Sequence, residues 1–204
     1  MRRQILPAIV SMVIFTLVLG VGFGLLVTGI AQVGFKDKAN GSIVTVNGKE
    51  VGSSVLGQAF TDAKGTPLPQ YFQSRPSAAA GASGKTAAGY DPTLSSGSNL
   101  GPTNPDFLKL VAQRVKDYRQ LNGLSSSTKV PVDAVTASAS GLDPDISVAN
   151  ARMQAQRVAQ ERGLTKSQVM QLIDDHTQGR TLGVLGEKSV NVLALNLALD
   201  RVAK

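Results

Sequence analysis

The sequence predicts an α+β domain that a single N-terminal helix holds at a membrane. Residues 5–35 contain no charged side chain, whereas all fourteen acidic residues follow them. Two runs rich in β-branched residues then flank Asn47-Gly48, and amphipathic helical patterns dominate the second half of the chain. Helices that follow a β-hairpin in one compact chain indicate the α+β class.

The uncharged N-terminal run is long enough to cross a bilayer. As a helix, its 31 residues would reach about 46 Å, and the hydrocarbon core measures about 30 Å. A cleaved signal peptide is the alternative, but its apolar stretch usually has only about 7–15 residues. We therefore assign residues 1–35 to a retained anchor, with the span at about residues 8–31, and residues 36–204 to the domain.

Charge alone does not orient this anchor. Arg2 and Arg3 precede the span and Lys36 and Lys38 follow it, so the basic side chains are equal in number on the two sides. A very short N-terminal tail that stays in the cytoplasm is the natural topology of such an anchor. We therefore expect a cytoplasmic N-terminus and an extracytoplasmic main domain.

Small residues recur every four positions along the predicted span, at Thr16, Gly20, Gly24 and Thr28. Such a stripe lets the backbone of another helix approach closely, and we predict that it packs against a partner subunit. The alternative is that glycine is simply frequent in membrane helices.

A β-hairpin is predicted directly after the membrane. Residues 42–46 and 51–56 form the two strand candidates, and Asn47-Gly48 between them suits a tight turn whose central residues have positive φ. Beyond the hairpin, residues 73–105 are rich in Gly, Ser, Ala and Pro. That composition by itself is typical of a flexible linker or a disordered insertion.

Capping residues and apolar spacing predict about four helices in the remainder of the chain. Their predicted starts are Asn104-Pro105, the stretch from Pro144 to Ser147, Thr165 and Ser189. Thr165 and Gln168 have the spacing of a capping box, in which side chain and backbone bond reciprocally.

The sequence argues against independent chemistry. The chain has no cysteine, which removes disulfides, thiolate metal ligands and a cysteine nucleophile. His176 is the only histidine, and no second metal ligand lies at a suitable spacing from it. The chain also has no G-x-S-x-G motif, so the sequence shows no serine nucleophile for which His176 would act as the base. Residues 179–186 (GRTLGVLG) lack the phosphate-loop pattern and are interpreted as a turn between helices. Scattered basic residues and the absence of Trp make nucleic acid an unlikely partner.

Five segments carry a more specific pattern. Residues 52–60 read GSSVLGQAF, residues 71–78 read YFQSRPSA and residues 96–105 read SGSNLGPTNP. Residues 130–143 read VPVDAVTASASGLD, and residues 190–200 read VNVLALNLALD. In this order, behind a single N-terminal span, they resemble the KdpC family, the small subunit of the Kdp potassium-transporting P-type ATPase. Ser96 departs from that family where a glycine is common, and Asp145 where a histidine is frequent.

The resemblance changes the interpretation of the glycine-rich region. It implies that residues 71–105 form an ordered functional surface rather than a linker. Gln58, Arg75, Asn99 and Asn104 then become candidate surface residues, and polar side chains there, Tyr90 included, would tie down irregular backbone.

The resemblance also implies a function, namely an accessory subunit of an ATP-driven complex that takes up K⁺ when it is scarce. Its expected setting is the bacterial inner membrane, where membrane lipid surrounds the anchor. Its expected partners are a channel-like K⁺-translocating subunit and the P-type ATPase subunit. The resemblance further implies that the subunit aids assembly and raises the ATP affinity of the pump. Weak ATP binding by this chain is one hypothesis that follows, but it conflicts with the expected topology, because an exported domain cannot meet cytoplasmic ATP.

Two other classes of protein remain as alternatives. One is a membrane-anchored periplasmic binding or scaffold module unrelated to transport, which the five segments argue against. The other is an anchored hydrolase, which the missing nucleophile and base argue against.

Overall fold

The computed structural model describes residues 2–79 and 89–202. Residues 80–88, which belong to the predicted glycine-rich region, lie outside the described residues. The chain divides into two compact units, residues 1–50 and residues 51–204.

The first unit begins with one long apolar helix. It consists of α1 (Arg2–Phe15), a π-helical segment (Thr16–Gly22) and α2 (Phe23–Gly34). Its large apolar side chains are exposed, and by length and composition Arg3–Gly34 is the one described helix able to cross a membrane. The prediction of an N-terminal apolar helix is therefore confirmed, whereas the π-helical segment was not predicted.

A short polar helix and the predicted hairpin follow. After α3 (Lys36–Ala39), the Asn40 and Gln32 side-chain amides bond to each other in both directions, at 3.2 and 3.3 Å. Strands β1 (Ile43–Val46) and β2 (Lys49–Ser53) form a two-stranded sheet. Asn47 and Gly48 have φ values of 51° and 78° in the turn between them, as the sequence predicts.

The second unit contains the four predicted helices. They are α4 (Pro105–Leu121), α5 (Val148–Arg162), α6 (Lys166–Asp175) and α7 (Val192–Val202). The side chains of Asn104, Ser147 and Thr165 cap the first three by accepting backbone N–H bonds, and Thr165 and Gln168 form the predicted capping box.

A small antiparallel sheet was not predicted. Its strands are β3 (Asp145–Ser147), β4 (Thr177–Gln178) and β5 (Ser189–Asn191), in the order β3-β5-β4. The prediction that Ser189 begins the last helix is therefore wrong. Val190 is fully buried and pairs with Ile146 on one side and Thr177 on the other, so this stretch is extended. Helix α7 begins at Val192, where the Asn191 side chain accepts the N–H of Ala194.

The apolar core lies where α5, α6 and α7 meet this sheet. Its fully buried members include Ala155 and Val158 from α5, Ile173 from α6 and Leu195 from α7. The core also takes in Phe72, which lies in a segment without regular secondary structure. An irregular segment is therefore built into the centre of the domain.

Helix α5 also has a buried polar face. Asn150, Gln154 and Arg157 follow one another at intervals of four and three residues, and each is at most 5% exposed. The Arg157 guanidinium donates to the carbonyl oxygens of Pro69 and Tyr71 and to the side-chain oxygens of Asn122 and Gln154. Within the described residues it has no carboxylate partner. Burial lowers the pKa of Arg157 to about 10, which leaves it charged at neutral pH.

Two carboxamides complete the anchoring of the irregular segment, residues 69–79, which we call the strap. Asn196 accepts the N–H of Phe72 at 2.9 Å and donates to its carbonyl at 3.0 Å. Gln154 does the same for Gln73, at 2.8 and 3.1 Å. The two side chains thus take the place of a neighbouring strand and satisfy backbone groups that would otherwise be buried unpaired.

Replacing Arg157 by Met should destabilise the protein by about 2–4 kcal/mol, because several buried oxygens lose their donor. Arg152→Met is the matched control on the same helix, where the arginine is half exposed and bonds to Asp174. The control should cost less than about 1 kcal/mol. Urea unfolding of the full chain in detergent, followed by far-UV circular dichroism, measures both. Equal losses would show that the strap does not depend on Arg157.

Candidate functional site

Three of the five recognised segments meet at one cleft. The cleft has a volume of about 610 Å³. We call it the motif cleft; its walls are formed by Val55, Leu56, Arg75, Ser95, Ser138, Ala139, Ser140, Leu142, Asp143 and Pro144. The strap supplies Arg75, the segment after β2 supplies the two apolar residues, and the loop before β3 supplies most of the remainder.

An ion pair crosses the cleft. An Arg75 terminal nitrogen lies 3.0 Å from the Asp143 carboxylate, and both side chains are partly exposed. Behind this pair, the Tyr90 hydroxyl donates to the Arg75 carbonyl oxygen at 2.6 Å. Burial raises the pKa of Tyr90 to about 12, so its hydroxyl remains a donor throughout the physiological range. The arrangement fixes the strap and the loop before β3 to each other.

Serine hydroxyls hold the backbone around the ion pair. Ser77 Oγ donates to the Gly141 carbonyl at 2.6 Å and accepts the N–H groups of Ala79 and Tyr90. Gly141 has a φ of 68°, and a Cβ there would collide with the backbone of Ser96 and Ala79. Only glycine lets these loops approach so closely.

This geometry does not provide a nucleophile with its base. Ser138 and Ser140 accept N–H bonds from Gly141 and Leu142, and Asp143 is paired with Arg75. His176 lies at the end of α6, outside the cleft lining, with Nδ1 2.8 Å from the Leu172 carbonyl oxygen. No group of three potential metal-ligating side chains occurs in residues 2–79 or 89–202. The described lining of the cleft is held in place by internal hydrogen bonds and one ion pair.

The other predicted surface residues are dispersed. Asn104 is the N-cap of α4 and accepts the N–H groups of Asp106 and Phe107. Gln58 lies against Gly52, and its backbone carbonyl accepts the Ser74 hydroxyl at 2.8 Å. Asn99 is exposed at a φ of 53°, and its side chain has no hydrogen bond to the described part of the chain. Of the four candidates, only Arg75 therefore lines the cleft.

Sequence reasoning did not single out Asp143, Ser77, Ser138 or Ser140. Each lies within a segment that was recognised, but a serine in a loop gives no signal of its own. The partners of Ser77 and Asp143 are distant in sequence, at Gly141 and Arg75. Ser138 and Ser140 accept bonds from nearby backbone, and their place in the cleft depends on the fold.

The predicted stripe on the N-terminal helix has a measurable geometry. Thr16 Cγ2 lies 4.0 Å from the place that a Cβ on Gly20 would occupy, and Thr28 Oγ1 donates to the Gly24 carbonyl at 2.8 Å. A four-residue repeat drifts by about 40° per step around an α-helix. The wider turn of the π-helical segment, in which the N–H of Phe23 bonds to Val18, counteracts that drift.

Comparison with known proteins identifies the relatives of this chain. A family profile described as "KdpC: K+-transporting ATPase, c chain" matches residues 5–201. The chain belongs to the KdpC family. A protein of Mycobacterium tuberculosis (strain ATCC 25618 / H37Rv) named "Potassium-transporting ATPase KdpC subunit" is 53% identical over 202 residues, covering 99% of this chain and 100% of the relative.

Similar proteins occur in other bacteria. The protein of the same name from Geobacter metallireducens is 48% identical over 202 residues, covering 98% of this chain and 99% of the relative. That from Koribacter versatilis is 47% identical over 200 residues, covering 98% and 95%. The KdpC relationship therefore covers the N-terminal helix and the domain, and the recognition made from five segments is confirmed.

Because the Tyr90 hydroxyl is buried, the stability of the protein should decrease as the pH rises through the alkaline range. The ordinary tyrosine pKa is about 10, whereas burial raises that of folded Tyr90 to about 12. The stability from protonated Tyr90 is therefore complete below pH 10 and is lost between about pH 10 and 12, on the order of 1–3 kcal/mol. An ultraviolet titration of tyrosinate should show a component near pH 12 that Tyr90→Phe lacks. If the component lost in Tyr90→Phe lies near pH 10, the hydroxyl is not buried.

Proposed function

We propose that the chain is the non-catalytic accessory subunit of a potassium-transporting P-type ATPase. The observation that carries the proposal is full-length similarity, at about half of all positions, to proteins named as the KdpC subunit of that ATPase. The same relationship favours this function over an anchored binding or scaffold module unrelated to transport.

The N-terminal helix is proposed to cross the bacterial inner membrane once. Support comes from its 32-residue apolar length and from its exposed apolar side chains, which would be unfavourable in water. The short N-terminal tail would remain in the cytoplasm, and the domain would lie on the extracytoplasmic side.

The two parts of the chain have different proposed partners. The stripe formed by Thr16, Gly20, Gly24 and Thr28 would pack against helices of the channel-like K⁺-translocating subunit. The extracytoplasmic domain would cap the outer ion entrance, with the motif cleft as part of a pre-formed contact surface. Because its loops are fixed by internal hydrogen bonds, this surface would lose little conformational entropy on docking.

The ATP affinity of the pump would be raised indirectly. An extracytoplasmic domain has no access to cytoplasmic ATP, and in the motif cleft the Arg75 charge already has a carboxylate partner. We therefore propose that the subunit acts by holding the ATPase subunit and the channel-like subunit in the assembled state. Labelling of this chain by a photoreactive ATP analogue, prevented by millimolar ATP, would show direct binding instead.

The function is tested by tagged purification from detergent-solubilised membranes of cells grown at very low K⁺. Co-elution with a P-type ATPase subunit and a channel-like subunit, together with K⁺-stimulated ATP hydrolysis, is the expected result. Elution of the chain alone, with both partners present in the membrane, would refute the proposal.

The same purification tests the helix stripe. The double variant Gly20→Leu/Gly24→Leu should reduce recovery of the complex by about tenfold or more, because added side chains prevent close helix contact. Gly29→Leu/Gly34→Leu is the matched control, since both glycines lie off the stripe and have open space around their Cβ positions. Equal recovery of the two variants would exclude the stripe as the docking face.

A further inference from the structure

The connection between β4 and β5, which we call the arm, ends in an apolar turn. The arm comprises residues 179–188, and at its end Leu182, Val184 and Leu185 are 86%, 73% and 58% exposed. We call these three side chains the apolar tip. Sequence analysis interpreted this glycine-rich stretch only as a turn between helices; the structure places it between strands. Neither the core nor the motif cleft uses the apolar tip.

The arm has a defined conformation. Thr181 and Leu185 exchange two backbone hydrogen bonds of 2.9 Å, and the N–H of Gly183 bonds to the Arg180 carbonyl at 3.0 Å. At its base, one Arg180 nitrogen lies 2.8 Å from each carboxylate oxygen of Glu187. The apolar tip is therefore presented by a braced turn, which reduces the entropy that binding would cost.

Leu182 combines two unfavourable properties. Its φ is 54°, in the left-handed region that is uncommon for residues other than glycine, asparagine and aspartate. Its side chain is also the most exposed of the three. A strained backbone that displays a large apolar side chain to solvent indicates a contact outside the chain.

The size of the apolar tip restricts what it can bind. Three aliphatic side chains remove on the order of 300 Å² of apolar surface from water. A stand-alone protein interface needs roughly 1,000 Å². The apolar tip alone is therefore too small to form a stable dimer with a second copy. It suits a contact between chains that other surfaces already hold together.

Charge favours a protein over a lipid surface. Arg180 is paired with Glu187, so among the described residues Lys188 is the one cation of the arm outside an ion pair. Binding to anionic lipid typically uses several free cations, and interfacial segments are rich in Trp and Tyr, which the arm lacks.

We propose that the apolar tip inserts into an apolar pocket on the extracytoplasmic surface of another subunit of the same transport complex. This inference rests on the proposed function and specifies one of its contacts. It assigns a binding role to residues 182–185, whose apolar side chains are exposed and lie outside the core.

The test uses the absence of cysteine from the chain, which makes an introduced thiol unique. Leu182→Cys is reacted with a water-soluble maleimide in three preparations: the chain alone in detergent, the chain alone in phosphatidylethanolamine–phosphatidylglycerol vesicles, and the purified complex. Protection of on the order of tenfold in the complex only is the expected result. Val132→Cys, at another highly exposed site (73%), reports whether the reagent reaches each preparation.

The outcomes separate this inference from the proposed function. Equal labelling in the complex and in detergent, or protection by vesicles alone, would overturn the apolar-tip contact. Neither result would contradict the proposed function. Failure of the wild-type chain to co-purify with any ATPase subunit would overturn both. As a second measurement, Leu182→Ser/Val184→Ser/Leu185→Ser should lower recovery of the complex, whereas Val132→Ser should not.

Discussion

Arg157 brings a positive charge into the interior of the domain, where it meets only neutral oxygen atoms among the described residues. Desolvating a guanidinium is costly, and the cost is offset here by several charge-assisted hydrogen bonds to oxygens held in place. Two of those oxygens belong to the strap backbone, at Pro69 and Tyr71. The position of the strap is thus tied to the position of one cation on α5.

The remaining structure of the site follows from that tie. Arg157, Gln154 and Asn196 hold the strap, which places Phe72 in the core and Arg75 beside Asp143. Ser77 joins the strap to the loop before β3 at the motif cleft. These contacts explain how a segment of irregular backbone can present a rigid surface, as the proposed contact role requires. The apolar tip is fixed separately, by its own turn and ion pair.

The parts that could be predicted from the sequence are those coded by neighbouring residues. Asn104, the Thr165–Gln168 pair and Asn47-Gly48 each act within a few positions, and their helices and hairpin were predicted. The apolar length of the N-terminal helix is likewise a local property. The predicted topology of that helix, in contrast, depends on a membrane and on partners, so it remains a proposal.

What could not be predicted depends on distant partners. Strand β5 has three residues, too few for a periodic pattern, and it is extended because it pairs with β3 on one side and β4 on the other. In the sequence, the polar residues Asn150, Gln154 and Arg157 have the spacing of a solvent-exposed helix face. In the fold they are buried beneath the strap. In the motif cleft, Arg75 was singled out through the resemblance. Asp143 was not, because only the fold places its carboxylate 3.0 Å from an Arg75 nitrogen.

Residue-resolved hydrogen exchange of the full chain in detergent tests the central claim most directly. If side chains of α5 and α7 hold the strap as strand partners would, the N–H groups of Phe72 and Gln73 should exchange as slowly as those in the middle of α5, through global unfolding only. Exchange at those two positions as fast as in an exposed loop, such as residues 125–127, would contradict the account.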